Sequence, residues 1–186
     1  AKWPAPPRVH AFTTLRSGPG ASRPPFESFN LGLRSGDDPA AAQANRNALH
    51  ARIGTPHPPR WLRQVHGTDV VHFNAASGLD EEPTADAAVT DVPGLPLAIL
   101  TADCLPVLFA AEDGSEIGAA HAGWPGLSAG VLEATIEAMH TPASKLLAWI
   151  GPGAGPQRYE IGENVHAAFV GQDAQTARYF APTRPG

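Results

Sequence analysis

One cysteine stands among 186 residues, and a histidine lies within reach of it. Pro106–Ala111 and Glu116–His121 are both strand-like, and the Asp113-Gly114 pair between them is a hairpin turn signal. With Glu112 facing Ser115, the antiparallel register sets Pro106 opposite His121 and Cys104 opposite Gly123. Side chains alternate along a strand, so Cys104 and Pro106 share a face and His121 joins it from across the ladder. Diagonal neighbours of this kind have Cα atoms about 7–8 Å apart. A thiolate and an imidazole there can meet on one metal ion or form a Cys/His couple. The plainer alternative is a cysteine that serves as a small buried hydrophobe.

The positioning elements follow from local patterns. Asp38–Ile53 reads as a helix, with Asp37 or Asp38 as N-cap, Pro39 in the first helical position and Gly54 as stop. Asn45 and Arg46 ride on it, Arg46 either as a surface cation or as an inward anchor for loops. Arg8–Thr14 and Arg60–Val65 are strand candidates, the second ending at His66-Gly67. Thr68–Phe73 resumes the extended pattern. Ala87–Thr90, Leu97–Thr101 and Lys145–Ile150 suit buried strands of a mixed sheet. Leu127, Val131, Thr135, Ile136 and Met139 trace one helical stripe over Leu127–His140, and Gly162–Val170 is a short helix. Asn30-Leu31-Gly32 reads as a turn, Asn74–Thr84 as a mobile connection, and the terminal PTRPG as frayed. Tyr179-Phe180 is placed at a core edge. The fold class is α/β: one domain over residues 1–186, with a mixed sheet and flanking helices.

The motifs QVHG (Gln64–Gly67), TADCLPV (Thr101–Val107), AAHAGW (Ala119–Trp124), IGP (Ile150–Pro152) and YEIG (Tyr159–Gly162) resemble the YfiH/YlmD family. Weaker echoes lie in SFNLGLRSGDD (Ser28–Asp38) and NRNAL (Asn45–Leu49). Members of that family have been described as laccase-type polyphenol oxidases, and as purine nucleoside phosphorylases with adenosine deaminase activity. The resemblance implies a zinc site made by His66, Cys104 and His121, and substrate contacts from Asn30, Arg46, Gln64 and Trp124 within the matching motifs. It also implies substrates: adenosine, inosine, guanosine, methylthioadenosine and phosphate. Without the resemblance, His66 reads as an ordinary loop histidine, although glycine beside it lets other groups approach closely.

Two departures from the family pattern stand out. The family usually has arginine after AGW, where this chain has Pro125, so a cation for phosphate or a substrate oxygen is missing. Pro125 suits the first turn of a helix, whose free N–H groups are expected to offset that loss in part. The family's chains also run further, through an FFSYRR-like motif, so the C-terminal part of the family fold is expected to be missing from residues 1–186.

Two imidazoles and a thiolate suit zinc, and three protein ligands leave a fourth tetrahedral position open for an acidified water. Deamination of adenosine also needs a proton shuttle. Asp103 is the candidate, with Cys104 and His121 as the other catalytic groups. It points to the opposite face of a regular strand, and a bend at Pro106 is needed to bring it to the site. Copper is the alternative ion, since copper(II) outcompetes zinc at most such sites. A four-copper oxidase needs on the order of ten histidines, many in HxH pairs; this chain has eight, none so paired. A metal-free Cys/His hydrolase, with Cys104 as nucleophile and His121 as base, is the remaining enzymatic alternative.

Composition narrows the field. The net charge is -5 with no basic block, which speaks against a nucleic-acid partner. No apolar run nears the ~20 residues that span a bilayer, and AKWPAPPRVH has no signal-peptide core. A cytosolic, small-molecule enzyme is the expectation.

Overall fold

The computed structural model describes residues 3–78 and 82–182. Leu79–Glu81, within the connection expected to be mobile, and Thr183–Gly186, within the terminal PTRPG, lie outside the described residues.

Five strands form one mixed sheet: β1 (Val70–His72), β2 (Ala87–Thr90), β3 (Leu105–Ala111), β4 (Ile117–Ala122) and β5 (Leu146–Ile150), in the order β1-β2-β4-β3-β5. β1 and β2 are parallel and the other pairs antiparallel. The β3–β4 register is the expected one, with Pro106 opposite His121 and Leu105 opposite Ala122. Gly114 turns the hairpin with φ 73°, a left-handed conformation that glycine adopts without a Cβ clash.

Alternation along these strands divides the sheet into two faces. Ala87, Val89, Val107, Phe109, Ala120 and Ala122 pack with Val131 and Met139 on one face. Gly118 belongs to that face as well: a Cβ there would lie 3.2 Å from Met139 Sδ and 3.4 Å from Thr135 Cγ2, so its bareness lets the helix settle on the sheet. His121 and Pro106 point the other way, towards the loops.

The helical stripe after His121 forms two short helices, α2 (Trp124–Ala129) and α3 (Val131–Ala138), instead of the single helix expected over Leu127–His140. Gly130 breaks it at φ 97°, its N–H bonding back to Gly126 and Leu127. α2 has only six residues, with Pro125 in its first turn. It is therefore a weaker anion-attracting end than the sequence led us to expect, because proline removes one of the free N–H groups and the aligned dipoles are few. α4 (Glu163–Val170) matches the expected short helix. Beyond it Phe180 packs against His166 and Phe169, while Tyr179 is exposed.

Three strand expectations need correction. Arg8–Thr14 is irregular, with Phe12 exposed where a sheet would have buried it. Arg60–Val65 and Leu97–Thr101 reduce to isolated bridges, Arg60 to Leu97 and Arg63 to Thr84. Pro96 has no N–H to give a ladder, and further along a side chain takes the place of backbone pairing. The Gln64 amide donates to Leu100 O (2.9 Å) and accepts from Leu100 N (2.8 Å).

α1 (Pro39–Ile53) forms as its caps dictate: Asp38 accepts from Ala40 N at 2.9 Å, and Gly54 closes the helix in the left-handed region. Its buried stripe, Ala42, Asn45, Arg46 and Leu49, is half polar because it anchors loops. Asn45 accepts from Ala21 N (2.8 Å) and donates to Ser22 Oγ (2.9 Å), Asn30 O (2.8 Å) and Ser28 O (3.3 Å). Arg46 is the inward anchor: it donates to Leu31 O at 2.7 Å, pairs with Glu82, and lies 4.1 Å over the Trp61 ring.

Asn45→Ala leaves the part-buried Ala21 N, Ser28 O and Asn30 O without this partner and is expected to cost on the order of 2–4 kcal/mol, read as a fall in melting temperature. Glu82 supplies a pH test. Burial pushes its carboxyl up, but the hydrogen bonds and charges of Arg46 and Arg34 outweigh this and leave its pKa below 4.5. The stabilisation is complete above that unfolded value and is lost as pH falls through the lowered folded one. Glu82→Gln is therefore expected to melt earlier than wild type at pH 7, with the gap closing as pH falls from 4.5 through the lowered folded value.

Candidate metal centre

Cys104 sits in a bend one residue ahead of β3, His121 near the end of β4, and His66 in the loop before β1. One ligand atom from each lies within 4.8 Å of the others. Cys104 Sγ stands 3.8 Å from His66 Nε2, and the two imidazoles meet edge to face at 4.7 Å between centroids. Ligands that share a zinc-sized ion at bonds of about 2.0–2.3 Å stand roughly 3.3–3.8 Å apart. The triad is thus open by about an ångström at its widest, a gap that small side-chain rotations close. His121 is buried, Cys104 half-buried and His66 exposed, so the group has a dry side and a side facing solvent.

Glycines make the convergence sterically feasible. Gly123 faces Cys104 in the hairpin register, and a Cβ on it would lie 2.4 Å from His66 Cδ2 and 3.1 Å from Cys104 Sγ. The His66 ring occupies the room that any other side chain would take. Gly126 lets α2 come against the same loop, its would-be Cβ falling 2.7 Å from Gly67 O. The bend carrying Cys104 is braced from the IGP segment, where Gly151 N bonds to Pro106 O (2.8 Å) and Ala154 N to Asp103 O (3.0 Å).

The residue that sequence reasoning missed is Asp86, wholly buried at the foot of β2. Its Oδ1 accepts from His121 Nδ1 (2.8 Å) and His66 N (2.8 Å), and its Oδ2 from Gly67 N (2.7 Å) and Val65 N (3.0 Å). Burial pushes its pKa up, but the His121 bond and the three backbone N–H bonds outweigh it, leaving the carboxyl below its ordinary value. The sequence signal was an acidic residue heading the apolar run that becomes β2, where an unpaired buried charge is untenable. Cys104 is shifted the other way: burial, then the negative charges of Asp103 and Asp86, push its thiol up. That environment weakens a metal-free nucleophile; a cation reverses it by stabilising the thiolate.

The three groups open onto a cleft of about 1290 Å³, with Phe29, Trp61, Leu100 and Trp149 among its walls. Asn30, Gln64 and Asp103 line it too. Asp103 gets there because β3 starts only at Leu105, so strand alternation does not govern it. Asn30 is a turn former, with Oδ1 accepting from Gly32 N at 3.1 Å and Nδ2 donating to Ser35 Oγ at 2.8 Å. Gln64 has both amide atoms on Leu100. Arg46 lies beneath the cleft floor's loops and Trp124 opens α2; neither is among the lining residues.

Fold and site together define an α/β protein with a nitrogen- and sulfur-rich centre fit to hold one metal ion at the base of a cleft. Residues 9–186 match the family described as multi-copper polyphenol oxidoreductase laccase, and the chain belongs to that family, the YfiH family of the motif resemblance. It is 54% identical over 192 residues to a purine nucleoside phosphorylase of Xylella fastidiosa, covering 100% of this chain and 74% of that one. It is 44% identical over 179 residues to the purine nucleoside phosphorylase YfiH of Escherichia coli, covering 96% and 72%. A crystal structure of a Neisseria meningitidis protein superposes with TM-score 0.92 at 41% identity, covering 100% of this chain and 75% of that one.

Gly123→Ala is expected to fold, since the residue lies outside the β3–β4 pairs, but to drive the His66 ring out of the cluster. The measure is bound metal per chain after dialysis against zinc, expected to fall at least tenfold relative to wild type.

Proposed function

We propose that residues 1–186 act as one metal-dependent enzyme domain on purine nucleosides. It would cleave adenosine, inosine, guanosine and methylthioadenosine with phosphate, and deaminate adenosine to inosine, with zinc as the ion. The observation that carries the reading is the meeting of His66, Cys104 and His121 at the base of a cleft in a chain 54% identical to a protein named a purine nucleoside phosphorylase. An ion held by these three residues would supply Lewis acidity and acidify a water.

The chain's own groups do the rest. Aromatic walls at Phe29, Trp61 and Trp149 give a purine ring apolar surface to stack on. Arg63 also lines the cleft and offers a cation for phosphate where Pro125 replaces the family's arginine; Arg16 and Arg34, in the same lining, are paired with Glu27 and Glu82. Asp103, exposed beside Cys104, is the group placed to move a proton between substrate and solvent. Zinc is favoured over a set of coppers by the eight histidines of the chain, of which two lie in the cluster. The raised thiol of Cys104 disfavours the metal-free Cys/His hydrolase. No described helix is long and apolar enough to cross a membrane, and a cytosolic small-molecule enzyme belongs to the same reading.

The test is an assay of protein with measured zinc and copper content, given adenosine with and without phosphate and read by chromatography. Adenine and ribose 1-phosphate are expected with phosphate, and inosine without it. His66→Ala is expected to lower both activities at least 100-fold while melting within a few degrees of wild type. Turnover of neither nucleoside reaction, or full activity in His66→Ala, overturns the proposal; phenol oxidation that tracks copper content would replace it.

A further inference from the structure

We infer that Asp86 is the positioning residue of the metal centre: one buried carboxylate sets both the donor atom of His121 and the backbone that presents His66. The inference rests on the metal-site reading proposed above. It arises from how that carboxylate's bonds are shared out. Oδ1 binds a ring nitrogen of one proposed ligand and the main-chain N–H of another, His121 Nδ1 and His66 N, both at 2.8 Å. Oδ2 takes the N–H groups on either side of His66, from Val65 and Gly67.

Each half has a separate consequence. A carboxylate can only accept, so His121 Nδ1 carries the hydrogen, and in the neutral ring it is then Nε2 that keeps the lone pair. On the loop side, His66 sits at φ 62°, a left-handed conformation uncommon for a residue with a side chain. Three consecutive N–H groups pointing at one buried anion hold it there, and the ring is thereby carried over Gly123. His121 is also fixed from its own backbone, its N–H donating to Asp86 O at 2.7 Å. The two imidazole ligands, 55 positions apart in the chain, are thus referred to a single residue immediately before β2. Cys104 is positioned independently by the bend before β3.

Asp86→Asn discriminates this role from plain structural support, because an amide cannot reproduce both sides of the carboxylate. With its oxygen towards His121 and His66, its NH2 opposes the Val65 and Gly67 donors. Flipped, its NH2 faces Nδ1 and forces the proton onto Nε2, the atom needed for the ion. Both orientations are expected to weaken zinc or cobalt(II) binding 10–100-fold, measured by competition with a chromophoric chelator on folded protein. The cobalt(II) visible spectrum is expected to keep its thiolate charge-transfer band while its d–d bands shift, since Cys104 stays in place. In wild type at pH 8, the 15N signals of the His121 ring should report a proton on Nδ1 and a bare Nε2.

Wild-type affinity and spectrum in Asp86→Asn overturn the inference. So does a His121 proton found on Nε2 in wild type, a result that needs no variant to fold. Wild-type protein that binds neither zinc nor cobalt overturns the metal-site reading itself, and so is told apart from a failure of Asp86 alone.

Discussion

The register of the β3–β4 hairpin is the constraint on which the centre depends. With Pro106 opposite His121, the last rungs of the ladder bring Cys104 against the bare backbone of Gly123. Because the side-chain period of a strand is two, a slip by one residue would turn His121 into the helix-covered core and put Ala120 or Ala122 in the cleft. The register is held by the core face and by the turn. Val107, Phe109, Ala120 and Ala122 are committed to the core under α3, and Gly114 closes the turn in the one conformation that suits it. Burial that stabilises the fold therefore also aims the imidazole.

Around that hairpin the site is built by close approach. A metal centre needs ligand atoms from separate segments within a few ångströms, and main chains cannot come that close where a Cβ intervenes. Gly123, Gly126, Gly151 and Gly153 all stand where a methyl group would overlap a neighbouring segment. Small residues admit the segments and hydrogen bonds fix them: the Asp86 carboxylate for the His66 loop, Asp103 O and Pro106 O for the IGP turn. On the far wall, Asn45 and Arg46 do the same for the loops around Asn30 and Leu31. A helix whose buried stripe is half polar makes sense in that light, since it packs against backbone that lacks a ladder of its own.

Charge completes the picture. Burial, and then the negative charges of Asp103 and Asp86, push the Cys104 thiol up. Two imidazoles and a sulfur in a site of this sign suit a cation, which would in turn stabilise the thiolate. The family's description speaks of several coppers, whereas the described residues converge three side chains on one point. The relatives' names speak of nucleosides, and an aromatic-walled cleft is consistent with a flat heterocycle.

What the amino-acid sequence determined by itself is local. The Asp-Gly turn and the alternation on either side of it specified the hairpin and its register. Asp38, Pro39 and Gly54 specified both ends of α1, because caps and left-handed residues act within a few positions. Motif resemblance brought His66 to the set, which no periodicity did. Tertiary structure decided the rest. Arg8–Thr14 and Leu97–Thr101 carry strand-like patterns yet form no strand, since a strand exists only where a partner's backbone meets it. The stripe after His121 split at Gly130, where a left-handed turn fits the packing better than a continuous helix. Asp86 in its apolar surroundings signalled only a charge in need of partners; which partners was decided by folding, because its donors lie 19 to 35 positions away.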